Sequence, residues 1–325
     1  FAKQAIDFIR ETKNCIIIIG DFKSFFDRLK HRYLKEMLCD LLRVERLPDD
    51  YYAVFKNITK YSTWDLESLL FLNGLENNKK GVSEFNKLPV ALPVERFKEL
   101  KKKKGYITPH KNSAGIPQGS AISAVLSNIY MLKFDKKIND YIIGKKGLYM
   151  RYSDDFIIVL PNKNISFKEE FQYINSMINS TLSLELAPEK TQTFQFKNGM
   201  LRNCNKSVLN KAKNGVNLLN YLGFTFDGEV VTIRDKTVSK YYYKLYRKIK
   251  TITKNKGITK KGNRINHKIL YEKYSIKGAN KKEKGKGNFI TYVKKAEKIF
   301  GKNERVDLVA KKHMQKIRKR LNQLK

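Results

Sequence analysis

Apolar positions in the first 235 residues alternate between short continuous runs and helical spacing. The run Cys15–Ile19 is β-branched and too short for a helix, so it predicts a buried strand ending near Asp21. Where apolar residues recur every three or four positions, the pattern predicts helices over residues 1–11, 28–42, 121–138 and 167–184.

The segment LYMRYSDDFIIVL, residues 148–160, predicts a β-hairpin because two apolar runs flank a polar turn. Extended segments are expected at 184–196 and 218–228, and short helices and loops over 43–114. Together these elements predict an α+β fold, with helices on one face of a mostly antiparallel sheet.

The C-terminal part is expected to be helical, over residues 238–252, 289–300 and 306–324, with a partly flexible stretch at 254–288. Residues 236–325 contain 30 Lys and Arg against 5 Asp and Glu, a net charge of +25. The other 235 residues contain 37 against 26, so a domain boundary is expected near 228–236. A helical bundle with a solvated charged face is one interpretation, but such an excess favours a nucleic acid partner.

Overall composition restricts the class of protein. The chain has 67 Lys and Arg against 31 Asp and Glu, and no apolar run approaches the ~20 residues of a membrane-spanning helix. Its three cysteines are widely spaced, which indicates neither a zinc site nor a disulfide framework and favours a cytoplasmic location. Because the chain begins at Phe1 without Met, we expect an N-terminal segment to be absent from it.

Two adjacent carboxylates, Asp154 and Asp155, occupy the predicted hairpin turn, and Asp21 follows another apolar strand. An ordinary solvated turn is one explanation of such a pair. If the two strands are neighbours, however, Asp21 and Asp154 meet at one sheet edge. Carboxylate oxygens there would suit Mg²⁺, and two such ions could activate a 3′-hydroxyl and stabilise a leaving pyrophosphate.

Five segments in order resemble the motifs of reverse transcriptases, specifically the bacterial kind found in retrons, group II introns and defence-associated systems. The resemblance extends over roughly Ile16–Phe226. The segments are GDFKSFFDRLKHRYL from Gly20, GIPQGSAISAVLSNIYM from Gly115, YMRYSDDF from Tyr149, LELAPEKTQTF from Leu184 and YLGFTF from Tyr221.

The resemblance implies a right-hand polymerase palm and a set of site residues. The catalytic residues would be Asp21, Asp154 and Asp155, which with Phe22 form the metal site for two Mg²⁺ ions, with Mn²⁺ as a substitute. Nucleotide-binding residues would be Phe26, Gln118, Gly119 and Lys190. Residues contacting primer or template would be Arg151, Tyr221, Leu222 and Gly223.

Some of these roles have structural alternatives. In the family, an aromatic at the position of Phe26 excludes the ribose 2′-OH, but either Phe25 or Phe26 is expected to be core. Lys190 would lie near the pyrophosphate, or would be an ordinary solvated lysine. Arg151 would contact nucleic acid or pair with a neighbouring acid.

At the level of domains, the resemblance implies a palm with fingers elements over 1–228, including an insertion at about 43–114. A basic helical thumb would occupy 229–325. The basic fingers residues that clamp the triphosphate in the family precede the first palm motif; since so few residues precede Asp21, we expect this clamp either to be missing or to lie outside this sequence. No integrase, RNase H or zinc-bearing HNH-type endonuclease signature is visible.

The implied function is RNA-directed DNA synthesis, by copying or binding a non-coding RNA, in antiphage defence. Its partners would be RNA, the DNA product and dNTPs, without a membrane; a homo-oligomer or accessory protein stays open. Two other functions remain: template-independent or protein-primed synthesis by the same site, and RNA binding by a non-catalytic polymerase scaffold.

Overall fold

The computed structural model describes residues 1–103, 105–162, 166–254, 267–280, 287–301, 304–307 and 313–322. The chain divides into two compact units. Unit 1 comprises residues 1–22 and 137–325, and unit 2 comprises residues 23–136.

Ten strands and fourteen α-helices occur in the described part of the chain. The strands are β1 Asn14–Asp21, β2 Ser62–Trp64, β3 Ile107–Pro109, β4 Leu148–Tyr152, β5 Asp155–Pro161, β6 Gln192–Lys197, β7 Met200–Asn203, β8 Leu219–Tyr221, β9 Phe224–Phe226 and β10 Val231–Ile233. The helices are α1 Ala2–Thr12, α2 His31–Leu42, α3 Asp49–Thr59, α4 Leu66–Leu72, α5 Lys79–Phe85, α6 Val94–Lys102, α7 Ala121–Gly144, α8 Phe167–Leu182, α9 Asn205–Val208, α10 Asp235–Lys254, α11 His267–Tyr274, α12 Ile276–Ala279, α13 Phe289–Phe300 and α14 His313–Asn322. Among these helices, none combines the length and the apolar character that crossing a membrane requires.

The main sheet of unit 1 has the order β4-β5-β1-β6-β7, and every pairing in it is antiparallel. β1 is central because its isoleucines suit a strand that is buried on both faces. The predicted strand and hairpin are confirmed, and so is an antiparallel sheet in a mixed helical and sheet fold.

Both faces of this sheet are covered at β1. On one face, Ile17 and Ile19 belong to an apolar cluster with Ala5, Ile6 and Ile9 of α1. On the other face, Ile16 and Ile18 are also buried, at 2% and 0% exposure. β1 is therefore buried on both faces, as its continuous apolar run predicts.

A second sheet of unit 1, in the order β10-β9-β8, packs into the same cluster as α1 through residues such as Phe226 and Val231. Glu304 joins these elements: its carboxylate accepts a hydrogen bond from Arg10 of α1 at 2.7 Å and another from the main-chain N–H of Val231 at 2.5 Å. The sheet is thus fixed to the N-terminal helix by a residue near the C-terminus.

The C-terminal helices of unit 1 have their own apolar cluster, which includes Tyr241 and Leu245 of α10, Leu270 of α11 and Ile317 of α14. The stretch 254–288, which is predicted to be partly flexible, contains α11 and α12; residues 255–266 and 281–286 lie outside the described part. Apolar residues at helical spacing, such as Leu270, are sufficient to fix a short helix against α10.

Unit 2 holds the region 43–114 as α3 to α6 with the two-stranded β2–β3 sheet. This agrees with the predicted short helices and loops, although the small sheet was not foreseen. At its start, Phe25–Arg28 is a short 3₁₀ helix followed by α2.

Candidate active site

The end of β1 positions Asp21 beside the hairpin. In the β1–β5 ladder Asp21 is the direct partner of Asp155, so the two carboxylates start from adjacent main-chain positions. Past the strand, Phe22 forms a bridge with Leu186, and the N–H of Ala187 donates to the Asp21 carbonyl at 2.8 Å. Main-chain hydrogen bonds on both sides therefore fix the position of Asp21.

The β4–β5 hairpin places Asp154 in its turn. Because Tyr152 pairs with Asp155, the connection has only two residues, Ser153 and Asp154. Ser153 has a φ of 59°, as tight hairpin turns require. Nη1 of Arg151 donates to the Ser153 carbonyl at 2.7 Å, so one contact of this arginine holds the turn itself.

Close packing behind the acids depends on Gly20. A Cβ at this position would lie 2.3 Å from a ring carbon of Phe156, which is 1% exposed. Phe156 also contacts the ring of Phe22, with centroids 5.5 Å apart. Phe22 is itself buried, so only its main-chain carbonyl could serve the metal-site role that the sequence suggested for it.

The acids influence one another electrostatically. Burial raises the pKa of Asp21, the hydrogen bond from Lys190 opposes this rise, and the charge of Asp154 adds to it. Burial likewise raises the pKa of Asp155, followed by the charges of Asp154 and Asp21, while Lys190 and Arg234 oppose the rise. The charge of Asp154 thus disfavours ionisation of Asp21, and the charges of Asp154 and Asp21 disfavour ionisation of Asp155.

Lys190 neutralises part of this charge. Its Nζ donates to both carboxylate oxygens of Asp21, at 3.0 and 2.9 Å. The turn that carries it is held by N–H groups of Lys190 and Thr191 that donate to the carbonyl of Ala187, at 3.1 and 2.9 Å. Lys190 therefore belongs to the acidic site, as the functional interpretation of this residue requires.

The segment Tyr221–Phe224 forms the predicted hairpin, since these two residues pair across β8 and β9. Leu222 and Gly223 have φ of 47° and 86°, so glycine suits the second position. The Tyr221 ring is 4% exposed, and its hydroxyl has no hydrogen-bond partner among the described residues. Burial and then the charge of Asp155 raise the pKa of Tyr221.

These residues line one cleft of unit 1 with a volume of about 380 Å³. It is bounded by Asp21, Asp155, Lys190 and the Tyr221–Gly223 segment, together with residues that the sequence analysis did not single out: Glu189, Gln192, Asn220 and Arg234. Glu189 precedes Lys190 directly in the sequence. No local sequence pattern identified Arg234, because only the pairing of β9 with β10 brings this residue to the cleft.

A divalent ion such as Mg²⁺ needs oxygen ligands that converge on one point. Within the described ranges, no three His, Cys, Asp or Glu side chains already surround a single point as a closed metal site. The adjacent Asp21 and Asp155 carboxylates fit an open site, because Mg²⁺ takes one or two protein carboxylates and completes its shell with water and substrate phosphates.

Three predicted nucleotide-binding residues lie in unit 2. Phe25 is 3% exposed and Phe26 is half-buried, which confirms that one of the pair is core. They lie on a 3₁₀ helix rather than a strand. The Phe26 carbonyl accepts the N–H of Ile116 at 3.0 Å, and beyond it Gln118 and Gly119 are exposed.

Two histidines hold the loop that leads to Gln118. His31 Nε2 donates to the Gly115 carbonyl at 2.7 Å, and His110 Nε2 donates to the Ala114 carbonyl at 2.9 Å. The His110 ring is stacked on Tyr61, with centroids 4.4 Å apart. Burial lowers the pKa of His31, the Gly115 carbonyl opposes this, and the nearby His110 lowers it further.

Solved structures similar to this chain include fungal telomerases. Apo telomerase of Candida tropicalis truncated from its C-terminal domain is 16% identical, with a TM-score of 0.41, over 72% of this chain and 39% of that chain. Telomerase of Candida albicans in complex with a TWJ fragment of telomeric RNA is 17% identical, with a TM-score of 0.39, over 75% and 38% of the two chains. This chain thus spans about two fifths of the length of these relatives.

No curated protein matches the chain. The profile of the family described as reverse transcriptase (RNA-dependent DNA polymerase) matches residues 3–226, more than half of the sequence. That range includes all five of the segments from Gly20 to Phe226 whose order predicted the family. The chain belongs to the reverse transcriptase family, whose members are RNA-dependent DNA polymerases and hence nucleotidyltransferases.

Proposed function

We propose that this protein is an RNA-directed DNA polymerase that adds dNTPs to a 3′ end at the cleft lined by Asp21 and Asp155, with Asp154 as the third acid. The observation that carries the proposal is the direct pairing of Asp21 with Asp155 across β1 and β5. It brings together acids from two distant motifs, with Asp154 on the adjoining turn. An ordinary solvated turn would not require an acid at the end of the neighbouring strand.

Two Mg²⁺ ions, or Mn²⁺ in their place, would be held by the three carboxylates and by the main-chain oxygen of Phe22. When bound, such ions lower the pKa of the attacking 3′-hydroxyl and neutralise charge on the departing pyrophosphate. The chain supplies oxygen ligands at a sheet edge that main-chain bonds keep in place. Lys190, which now pairs with Asp21, would transfer its hydrogen bonds to the phosphates of the nucleotide.

The remaining site residues are assigned to substrates. Phe26, half-buried next to the loop of Gln118 and Gly119, would exclude a ribose 2′-OH and favour deoxynucleotides. Leu222 and Gly223 would contact the primer at their turn. Tyr221 would support that turn from the core, because its ring is buried. Arg151 would keep the Asp154 turn in place, with any contact to template as an additional role.

At the level of domains, we propose that residues 1–228 form a palm with fingers elements and that 229–325 form a basic thumb. The net charge of +25 in residues 236–325 supports an RNA or RNA–DNA partner there, bound in a salt-dependent manner. A bacterial origin, a non-coding RNA template and a role in antiphage defence rest on the motif resemblance alone. A cytoplasmic location is supported by cysteines that are all unpaired.

Primer extension on an RNA template tests the proposal. The wild type should extend a labelled DNA primer with dNTPs and Mg²⁺, and Asp154→Asn should abolish extension. Asp140→Asn, at an exposed aspartate of α7 outside the cleft, is the matched control and should extend normally.

The alternatives give different products. Sequencing products that lack complementarity to the template would favour template-independent synthesis, and product covalently attached to protein would favour protein priming. Absence of incorporation by the wild type with Mg²⁺ or Mn²⁺ on every primer–template tested would contradict the proposal and favour a non-catalytic RNA-binding scaffold.

A further inference from the structure

Arg234 is held next to the candidate primer-binding turn. It follows β10, whose last residue Ile233 pairs with Phe224 of β9. The main-chain N–H of Arg234 then donates to the carbonyl of Gly223 at 3.0 Å. Its main chain is therefore fixed to the Leu222–Gly223 turn, immediately before the basic helix α10.

The Arg234 side chain is exposed and lines the same cleft as Asp21 and Asp155. Its charge counters the rise in the pKa of Asp155, so the guanidinium acts on the acidic group electrostatically. Yet in the described part of the chain no hydrogen bond or ion pair of this side chain is found. The other cation of the cleft, Lys190, has both of its short contacts with Asp21.

An unpaired guanidinium beside carboxylates is an effective phosphate ligand. Its planar set of five donors matches the oxygens of a phosphate, and its charge does not depend on pH in the working range. The substrates of a polymerase bring two kinds of phosphate into such a cleft, those of the primer backbone and those of the nucleotide. Lys190 lies on the Asp21 side, whereas Arg234 is fixed to Gly223.

We propose that Arg234 binds a phosphate group of the substrates in this cleft, and that the phosphodiester at the 3′ end of the primer is the source. The main-chain bond to Gly223 is what favours the primer over the nucleotide. The inference rests on the proposed function, since it takes the Leu222–Gly223 turn as the primer contact.

The first test measures binding without catalysis. Fluorescence anisotropy of a labelled primer–template in EDTA is compared for the wild type, Arg234→Ala, Arg234→Lys and Arg202→Ala. Arg202 is an exposed arginine of β7 outside the cleft and is the matched control. Loss of one charge-assisted contact should weaken binding by Arg234→Ala about tenfold or more, with no such change for Arg202→Ala.

The salt dependence distinguishes a phosphate contact from a structural role. The slope of log K against log salt should be smaller by about 1 for Arg234→Ala, and Arg234→Lys should retain the wild-type slope. Equal melting temperatures of the variants would show that the exposed substitution leaves the fold intact. If Arg234→Ala proves unstable, the affinity of Arg234→Lys for primer–template is compared with that of the wild type instead. Lysine keeps the charge and loses the bidentate geometry, so a weaker affinity of Arg234→Lys would support the phosphate contact.

The second test separates the two sources of phosphate. If the primer is the source, Arg234→Ala raises the KM for primer and leaves the KM for dNTP and inhibition by pyrophosphate unchanged. A change confined to dNTP and pyrophosphate would support the phosphate site but assign it to the nucleotide.

Binding and kinetics of Arg234→Ala that equal those of Arg202→Ala would overturn the inference. The proposed function would still stand in that case if Asp154→Asn abolishes extension. Because the anisotropy test requires no catalysis, it gives a result for Arg234 even if the wild type extends no primer.

Discussion

Asp21 and Asp155 are direct partners in the β1–β5 ladder. Two carboxylates from distant parts of the chain therefore start from neighbouring positions, where β1 ends and β5 begins. The arrangement is set by the main chain, through the ladder itself and through the bond from the Ala187 N–H to the Asp21 carbonyl. Repulsion can change the side-chain rotamers of these acids but cannot separate their main-chain positions without breaking strand pairing. The protein retains this electrostatic cost at a site where a cation would offset it.

The first prediction concerns the stability cost of Asp155. Because burial and the charges of Asp154 and Asp21 raise its pKa, the ionised form is disfavoured in the folded state. Asp155→Asn should raise the free energy of unfolding by about 0.5–1 kcal/mol at pH 7.5 while abolishing primer extension.

The gain in unfolding free energy of Asp155→Asn should depend on pH. With a folded-state pKa above the unfolded value, Asp155 favours folding below that unfolded value, and this contribution is lost as pH rises through the folded pKa. Thermal unfolding at pH 4 and 7.5 should therefore show the advantage of Asp155→Asn only at the higher pH. Asp140→Asn is the control, and an unchanged or lower stability of Asp155→Asn at pH 7.5 would contradict the expected repulsion.

A second prediction follows from the contact of Lys190 with Asp21. Since its ammonium group lies within 3.0 Å of both carboxylate oxygens, it competes with any cation for them. Lys190→Ala should tighten Mn²⁺ binding about two- to fivefold, as expected for a partly exposed ion pair, and should lower the extension rate. Isothermal titration with Mn²⁺ at pH 8 measures the affinity.

Lys197→Ala is the matched control, because Lys197 is an exposed lysine of β6 outside the cleft. It should change neither the affinity nor the rate. A Mn²⁺ affinity of Lys190→Ala equal to that of the wild type would show that Asp21 does not bind the metal.

The third prediction concerns packing under the acids. Gly20→Ala places a methyl group 2.3 Å from the buried ring of Phe156, so the ring or the strand must shift. Overpacking of this kind should cost about 1–3 kcal/mol of unfolding free energy and should disturb Asp21 and Asp155, each adjacent in sequence to one of these residues. Denaturant unfolding and primer extension measure the two effects.

The double variant with Phe156→Leu tests the cause. The smaller side chain should recover part of the loss, giving a coupling between the two sites. Gly144→Ala is the control, because an added Cβ there meets nothing within 4 Å. Additive effects of Gly20→Ala and Phe156→Leu would rule out the clash as the origin of any destabilisation.

Local pattern explains which part of this site could be predicted from the sequence. Asp21, Asp154 and Asp155 follow or separate apolar strands, and both strand type and turn are determined by nearby residues. Arg234 could not be found in this way, because its place in the cleft depends on the pairing of β9 with β10. The same holds for the complementarity of Gly20 and Phe156, which is a property of two packed strands and not of either segment.

The fold was predictable to a similar extent. Periodicity identified α1, α2, α7 and α8, and the continuous apolar run of β1 indicated burial on both faces, but it could not tell which elements cover each face. The α11 and α12 helices lie in a segment whose Gly, Lys and Asn content suggested flexibility. Their apolar residues meet α10 only in the folded chain.

The last prediction concerns the histidines of unit 2. His31 donates to the Gly115 carbonyl, and the ring centroids of His31 and His110 lie 6.0 Å apart. Since burial and His110 lower the pKa of His31 below its ordinary 6.5, the unfolded chain takes up a proton at a higher pH than the folded chain does. Stability contributed by His31 is therefore full above pH 6.5 and is lost as pH falls toward the lowered value.

The melting temperature of the wild type should consequently fall more steeply between pH 7.5 and 5 than that of His31→Asn, which cannot titrate there. Hydrogen exchange supplies a local readout, because the N–H groups of Gly115 and Ile116 donate to the carbonyls of Leu29 and Phe26. The protection factors of these two amides, which correct for slower intrinsic exchange at lower pH, should fall in the wild type at pH 5. Parallel pH profiles of the two proteins, with unchanged protection factors, would mean that His31 does not control the loop that leads to Gln118 and Gly119.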